Sequence, residues 1–173
     1  MENELLNGQI PIAEEAQQEP IEKWLTFRLD GQLYGASILH TEQIIRMTPI
    51  TEVPEYPDYA KGVIELRGMI VPLIDLRLRL GKKESACPEQ SCIITCRMDE
   101  DLIGFIVDEV DAVMDIDADC ISPPPRVSGD GTAGFLKGIA RVPGAPGERD
   151  KIVLCLDMTG ILKKEEIRGL IKG

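Results

Sequence analysis

An internal duplication limits the folds that this chain can adopt. Residues 24–38, WLTFRLDGQLYGASI, align without a gap with residues 93–107, IITCRMDEDLIGFIV, and pair Gly35 with Gly104 at an offset of 69 residues (104 − 35). Two further blocks follow in the same order: KGVIELRG (61–68) with KGIARVPG (137–144), and IVPLIDL (70–76) with IVLCLDM (152–158). Because several blocks keep their order, duplication explains them better than chance.

Each copy is small for an open sheet. A copy spans about 65 residues with several short strands, and a sheet of that size removes its exposed edges by closing into a barrel. The sequence therefore predicts an all-β fold of two β-barrels side by side, with a groove where they meet. The copies are expected at roughly 24–86 and 91–162, with a short amphipathic helix at roughly 163–172, and the polar residues 1–22 as a flexible tail.

A charged turn interrupts the apolar stretch KGVIELRGMIVPLIDLRLRLG, residues 61–81. Arg67-Gly68 is expected to be a tight turn in which Gly68 supplies a positive φ. Pro72 lacks a ladder donor, so its strand is expected to lie at an edge or to be bulged there. Arg67 fits either a solvated turn charge or an anchor for an acidic partner. Residues 40–47, HTEQIIRM, fit either a helical turn or a bent strand.

Charge and hydropathy exclude some classes of protein. The net charge of −11 argues against nucleic-acid binding, which needs an excess of Lys and Arg. No apolar run reaches the roughly 20 residues that span a bilayer, and the N-terminus lacks the pattern of a signal peptide. These features predict a cytoplasmic protein. The cysteines are odd in number and scattered, which predicts reduced, mostly buried thiols: Cys87, Cys92, Cys96, Cys120 and Cys155.

No set of residues has the pattern of a catalytic or metal site. His40 is the only histidine. Cys92 and Cys96 are four residues apart, which in a strand places them on one face, and no second pair completes a zinc site. Residues 115–119, DIDAD, resemble the start of a calcium loop, but Cys120 stands where that loop needs glycine. We therefore expect no enzyme activity, no metal and no cofactor.

The stretch 61–81, taken with the duplication, resembles the CheW family, the coupling proteins of bacterial chemosensory arrays. These relatives carry a G-V-x-x-L-R-G turn, then an apolar strand with proline, then D-L-R. The resemblance runs from about residue 23 to 165, through DGQLYGASILHTEQIIRM, GFIVDEVDAVMDI, ISPPP, FLKGIA and KIVLCLDM. It implies two SH3-like five-stranded barrels side by side, in agreement with the duplication.

The resemblance also implies a function. Members of the family are scaffolds without enzyme activity that couple chemoreceptors, the methyl-accepting chemotaxis proteins, to the histidine kinase CheA. One surface binds the regulatory domain of CheA, and the groove between the barrels takes the helical cytoplasmic tip of a receptor. Further copies are possible partners in array rings. The chain would then be recruited to membrane-associated receptor arrays without inserting into the membrane.

Two sets of binding residues carry over residue by residue. The receptor-binding positions are matched by Arg67, Gly62 and Gln43. The kinase-binding positions are matched by Leu25, Ile38, Thr41 and Val110. Two positions depart from the common pattern: many relatives have an acidic residue where this chain has Gln43, and an aromatic residue of array-ring contacts is replaced by Val127.

Other interpretations stay open at this stage. The main alternative is a regulator or enzyme that binds a small molecule or a metal in an acidic groove. Another is a piece of a larger signalling protein, such as a CheV-type fusion to a receiver domain, although no receiver-like βα pattern follows. The sequence leaves the receptor, the stimulus and the choice between a flagellar and another chemosensory pathway open.

Overall fold

The computed structural model describes residues 21–124 and 132–172, and these ranges contain eleven strands and two α-helices. Two 3₁₀ turns, Ala118–Cys120 and Thr132–Phe135, complete the regular structure. The elements, numbered in chain order, are β1 Ile21–Leu29, β2 Gln32–Ser37, β3 Thr41–Arg46, β4 Ala60–Leu66, β5 Met69–Asp75, α1 Leu76–Arg79, β6 Cys92–Met98, β7 Asp101–Val107, β8 Glu109–Asp117, β9 Ile121–Ser122, β10 Leu136–Val142, β11 Lys151–Leu156 and α2 Lys164–Lys172.

The ends of the fold agree closely with the predicted boundaries. The predicted C-terminal helix is confirmed as α2. The first strand begins at Ile21, so residues 21 and 22 belong to a strand and not to the predicted tail, whose residues 1–20 lie outside the described ranges. Val127 also lies outside them. None of the helices in the described ranges is long and apolar enough to cross a membrane.

The strands form two sheets, with the orders β8-β1-β2-β11-β10-β9 and β3-β6-β7-β5-β4. The all-β fold with two related β units is therefore confirmed. The expectation that residues 24–86 and 91–162 would each build a barrel alone is corrected by the strand order. The first sheet takes β1 and β2 from the first copy and the rest from the second, whereas the other sheet takes β3–β5 from the first copy and β6–β7 from the second.

Two parallel strand pairs join the copies, and the duplication explains why the exchange is possible. Gly35 pairs with Cys155 between β2 and β11, and Gly104 pairs with Leu73 between β7 and β5. The two registers are equivalent, so the first hairpin of either copy fits the remaining strands of the other. Close approach requires glycine: a Cβ at Gly104 would lie 2.6 Å from the Leu73 side chain.

The hydrophobic core repeats this symmetry. A small cluster lies against each sheet, and a larger one lies between the sheets. Five positions correspond between the two small clusters; the first contains Trp24, Leu33, Ala140, Val153 and Cys155, and their counterparts in the second are Ile93, Leu102, Ile64, Val71 and Leu73. The predicted equivalence of Asp75 and Asp157 is confirmed, because their backbone N–H groups donate to the equivalent carbonyls of Tyr59 (2.7 Å) and Phe135 (2.8 Å).

The turn predicted in residues 61–81 is confirmed, whereas the prediction for the strand of Pro72 is not. Gly68 has the predicted positive φ of 80°, but Arg67 also lies in the left-handed region, at 53°, as a two-residue hairpin turn of this class requires. Pro72 pairs with Val63 on β4, and the parallel ladder to β7 begins only at Leu73. The expected edge or bulge is therefore wrong, since β5 lies between β7 and β4 and its register with β4 does not shift at Pro72; the missing donor instead falls where β5 has no second neighbour.

The cysteines are free thiols, as predicted, but only partly buried. Cys96 and Cys155 are buried, Cys92 is half-buried, and Cys87 and Cys120 are exposed. Cys92 and Cys96 both face the larger hydrophobic cluster between the sheets, the central cluster, as their spacing predicted. Burial raises the pKa of the Cys96 thiol to about 12, and that of Cys155 to about 11, so these two thiols remain protonated at neutral pH.

Candidate functional site

An apolar groove lies where the two sheets meet. β3 ends one sheet and β8 ends the other, and the groove is lined by residues of both strands, of β1 and of the turn after β2. Three large hydrophobic side chains are left exposed in it: Ile38 (38 %), Ile44 (48 %) and Val113 (52 %). Ile44 and Val113 are equivalent in the duplication (113 − 44 = 69), so each sheet contributes the same position. The full lining is Leu25, Ile38, Thr41, Glu42, Gln43, Ile44 and Val113.

Both walls of the groove are bulged strands. In β3 the register against β6 shifts between Thr41 and Gln43, which leaves Glu42 unpaired in the ladder. In β8 the register against β1 shifts in the same way and leaves Asp111 unpaired. The two bulges are equivalent (111 − 42 = 69), and an extra residue at each position bends the strand and turns the following side chains. The bulges therefore set the shape of the groove.

Each bulge holds a carboxylate that pairs with an arginine from the neighbouring strand. Arg97 donates to both carboxylate oxygens of Glu42, at 2.9 and 3.2 Å. Its counterpart Arg28 lies 3.9 Å from Asp111, and Lys151 lies at the same distance from that carboxylate. The hydrogen bond from Arg97 lowers the pKa of Glu42, and the charge of Arg67 lowers it further. Glu42 is thus an ionised, paired carboxylate in an otherwise uncharged lining.

The structure brings most of the predicted kinase-binding residues together with a predicted receptor-binding residue. Leu25, Ile38 and Thr41 line the groove beside Gln43. Leu25 is only 3 % exposed and belongs to the central cluster, so it forms the floor and offers little surface. Val110 is not part of the lining; it is half-buried against the central cluster.

Arg67 stands at the tip of the β4–β5 hairpin and is exposed. Its side chain makes no hydrogen bond or ion pair with any other residue that the structure describes. Its charge lowers the pKa of Glu42, which lines the groove. The cation is therefore available to a partner that lies along the groove.

Gly62 has a different role from the other predicted receptor residues. It is buried and has a φ of +142°, and a Cβ there would lie 2.2 Å from the carbonyl oxygen of Thr51. Because it is buried and has no side chain, it offers little surface to a partner. It instead allows the segment at Thr51 to pair with β4 at Val63.

Sequence reasoning missed four residues that shape the groove. Ile44 and Val113 supply exposed apolar surface, and Thr26 and Thr95 lie buried behind the bulges. The duplication carried a signal for each pair, since the pairs share the offset of 69 (113 − 44 and 95 − 26), and threonine stands at the same place in WLTF and IITC. The same residue at the same strand position in both copies could have identified Thr26 and Thr95 as important.

Potential metal ligands do not cluster in the part of the chain that the structure describes. In the described ranges no three side chains of His, Cys, Asp and Glu are placed to bind one ion together. The groove contributes a single carboxylate, Glu42, and Arg97 already neutralises it.

Comparison with known proteins gives a consistent result. Residues 23–166 match a family model described as "CheW-like domain". The chain is 32% identical over 146 residues to "Chemotaxis protein CheW" of Klebsiella aerogenes, with 84% of each chain covered. It is 33% identical over 132 residues to "Probable chemotaxis protein CheW" of Rhizobium etli, covering 76% of this chain and 81% of that one. The crystal structure of the scaffolding protein TtCheW from Thermoanaerobacter tengcongensis is similar in fold, with a TM-score of 0.73, 31% identity, and coverage of 85% and 96%.

Proposed function

Since the chain belongs to the CheW family, we propose that it is an adaptor without enzyme activity that couples chemoreceptors to the histidine kinase CheA. The observation that carries this proposal is the apolar groove between the sheets. A protein that works by binding needs exposed apolar surface in a defined shape, and Ile38, Ile44 and Val113 provide it.

The groove suits an amphipathic helix better than a flat partner. It is concave, three of its exposed side chains are aliphatic, and its one charged lining residue, Glu42, is paired with Arg97. A helix laid in such a groove buries an apolar stripe and places its flanking polar residues against the rim. The cytoplasmic tip of a chemoreceptor is helical in the family, so we assign the groove to the receptor.

This assignment changes the proposed role of three residues. An adaptor must hold two partners at once, and one groove cannot hold both. Leu25, Ile38 and Thr41, predicted for the kinase, lie in the groove with Gln43 and are proposed here as receptor contacts. The regulatory domain of CheA then docks outside the groove, where Val110 is the remaining predicted kinase residue.

Introducing a charged side chain into the groove tests this proposal. Ile38→Asp would bury an unpaired carboxylate under a bound helix, so we expect binding of a receptor cytoplasmic tip from the same genome to weaken by about 2 kcal/mol or more. Binding of the CheA regulatory domain should change little. Ile152→Asp is the matched control, because Ile152 is similarly exposed on β11 and lies outside the groove.

Two outcomes would contradict the proposal. If Ile38→Asp loses the kinase domain and keeps the receptor tip, the groove belongs to the kinase, as the residue-by-residue resemblance indicated. If neither partner binds the wild-type chain, the adaptor function itself is wrong. The alternative of a metal-binding or small-molecule regulator has little support, because the groove lining carries one carboxylate and that carboxylate is paired.

A further inference from the structure

Two buried hydroxyl groups stand directly behind the two walls of the groove. Thr95 lies on β6 behind the bulge of β3, and Thr26 lies on β1 behind the bulge of β8; both are fully buried. They are equivalent in the duplication (95 − 26 = 69). Both hydroxyl groups adjoin the proposed receptor site, so an inference about their role rests on the proposed function.

Each hydroxyl replaces a backbone partner that the bulge removes. Thr95 Oγ1 accepts a hydrogen bond from the Gln43 N–H at 3.1 Å and donates to the Gln43 carbonyl at 3.2 Å. Thr26 Oγ1 accepts from the Ala112 N–H at 3.2 Å and donates to the Ala112 carbonyl at 2.9 Å. One oxygen atom thus satisfies the donor and the acceptor of the residue that follows the bulge, because a hydroxyl can both donate and accept.

The arrangement fixes backbone that leads directly to the groove surface. Gln43 lines the groove and precedes Ile44; Ala112 precedes Val113. Without these bonds the N–H and carbonyl groups of Gln43, a half-buried residue, and of Ala112, an exposed one, would lose their partners within the protein, and the strand could then shift its register. Threonine is stiff at χ1, so its hydroxyl holds the bonded backbone in one place.

We propose that Thr95 and Thr26 are positioning residues, which hold the two walls of the groove in the shape that accepts an amphipathic receptor helix. They touch no partner themselves, because both are buried. Their effect passes through Gln43 and Ile44 on one wall, and through Ala112 and Val113 on the other.

Thr95→Val tests the proposal, since valine keeps the shape of threonine and removes the hydroxyl. We expect its dissociation constant for a chemoreceptor cytoplasmic tip to rise about tenfold, and that for the CheA regulatory domain to stay within about twofold. Hydrogen exchange of the Gln43 amide should become faster. Thr95→Ser, which restores the hydroxyl, should recover most of both losses. All measurements are made at a temperature at which each variant is folded.

Ser91→Ala is the matched control, because Ser91 also carries a buried hydroxyl, and that hydroxyl has no hydrogen-bond partner among the described residues. It should change neither affinity. Should Thr95→Val fail to fold, Thr26→Val and the amide of Ala112 provide the same test on the other wall.

The outcomes separate this inference from the function on which it rests. Wild-type affinity for the receptor tip in a folded Thr95→Val or Thr26→Val variant overturns the inference alone. An equal loss of both partners also overturns it, since that result shows a general loss of stability. A wild-type chain that does not bind the receptor tip overturns the proposed function together with the inference.

Discussion

Arg67 and Gly62 lie in one hairpin, yet only Arg67 offers an exposed side chain to a partner. Arg67 is exposed and unpaired among the described residues, and its charge lowers the pKa of Glu42 in the groove. Gly62 is buried and allows the chain at Thr51 to approach β4. A substitution at Arg67 would therefore remove a possible contact with the receptor, whereas a substitution at Gly62 would disturb the fold.

Arg67→Ala should weaken binding of the receptor tip by about 1–3 kcal/mol, the range of a charge-assisted hydrogen bond. The hairpin holds the start of the side chain in one direction, which lowers the entropy lost when the guanidinium binds. Because Arg67 is exposed, the free energy of unfolding should stay within about 0.5 kcal/mol of wild type. Isothermal titration with the receptor tip and with the CheA regulatory domain measures the first effect, and denaturant unfolding measures the second.

Arg168→Ala is the control for loss of an exposed arginine, and it should alter neither affinity. Gly62→Ala is the contrast: the added methyl group would overlap the Thr51 carbonyl, so it should lower the melting temperature and reduce both affinities through unfolding. Unchanged binding of both partners by Arg67→Ala would show that Arg67 is only a solvated turn charge.

The sequence predicted some of these residues better than others. The Arg67-Gly68 turn could be predicted because a positive φ at glycine is a local requirement. The proximity of Arg67 to Glu42 could not, since it depends on how β3 and the β4–β5 hairpin lie in one sheet without being neighbours. The burial of Gly62 was hidden for the same reason.

At the scale of elements, the bulged strand and the C-terminal helix show opposite degrees of predictability. β3 remained ambiguous between strand and helix because two apolar residues, Ile44 and Ile45, stand side by side in TEQIIR, so its hydrophobicity does not alternate although its burial does. Helix α2 was predicted within one residue at its start, because its amphipathic pattern is local. Where α2 docks could not be read from that pattern.

One arginine holds much of the polar contact between α2 and the body of the protein. Arg79 donates to the Ile161 carbonyl at 2.8 Å and to Glu166 at 2.8 Å, and its guanidinium lies over the rings of Tyr59 and Phe135. Burial alone would raise the pKa of Glu166, but hydrogen bonds from the Lys163 N–H and Tyr59 and the charge of Arg79 lower it overall. Burial raises the pKa of the Tyr59 hydroxyl to about 12, and the hydrogen bond to Glu166 and the charge of that carboxylate contribute to a smaller extent.

Glu166→Gln should reveal this contact through its dependence on pH. Because the folded state lowers the pKa of Glu166, the carboxylate stabilises the fold above its unfolded pKa, and this contribution is lost as the pH falls through the folded value. The variant should be less stable than wild type at pH 7 by about 1.5–3 kcal/mol, and the difference should shrink below about pH 4. Urea unfolding across that range measures the difference.

Glu165→Gln is the control, since Glu165 is the exposed neighbour on the same helix, and its difference from wild type should be small at every pH. A Glu166→Gln difference that is the same at pH 7 and pH 3 would show that the charge of Glu166 does not hold the helix.

At the scale of the whole molecule, the exchange of strands between the copies is the main feature that the sequence did not predict. The duplication indicated two equivalent units, and that was confirmed. The hydrophobic pattern could not say which copy completes which sheet, because the β1–β2 and β6–β7 hairpins carry the same pattern and fit either remainder. The repeated pattern that made the fold class predictable also left the pairing between the copies ambiguous.

The exchange predicts that neither copy folds alone. A fragment of residues 1–86 lacks β8 and β11, which pair with β1 and β2. A fragment of residues 91–173 lacks β3 and β5, which pair with β6 and β7. Each should show the circular dichroism of an unfolded chain, and an equimolar mixture should regain β structure and a cooperative thermal transition. A cooperative transition in either fragment by itself would contradict the exchanged arrangement.

If the groove takes the receptor and the kinase docks elsewhere, as we propose, this chain binds both partners at once. The most direct measurement is the mass, by light scattering after size exclusion, of a complex between the chain and the CheA regulatory domain when receptor tip is added in excess. We expect the mass to increase to that of a ternary complex from which the kinase domain is not lost. Release of the kinase domain as receptor tip is added would contradict it, because the two partners would then compete for one groove.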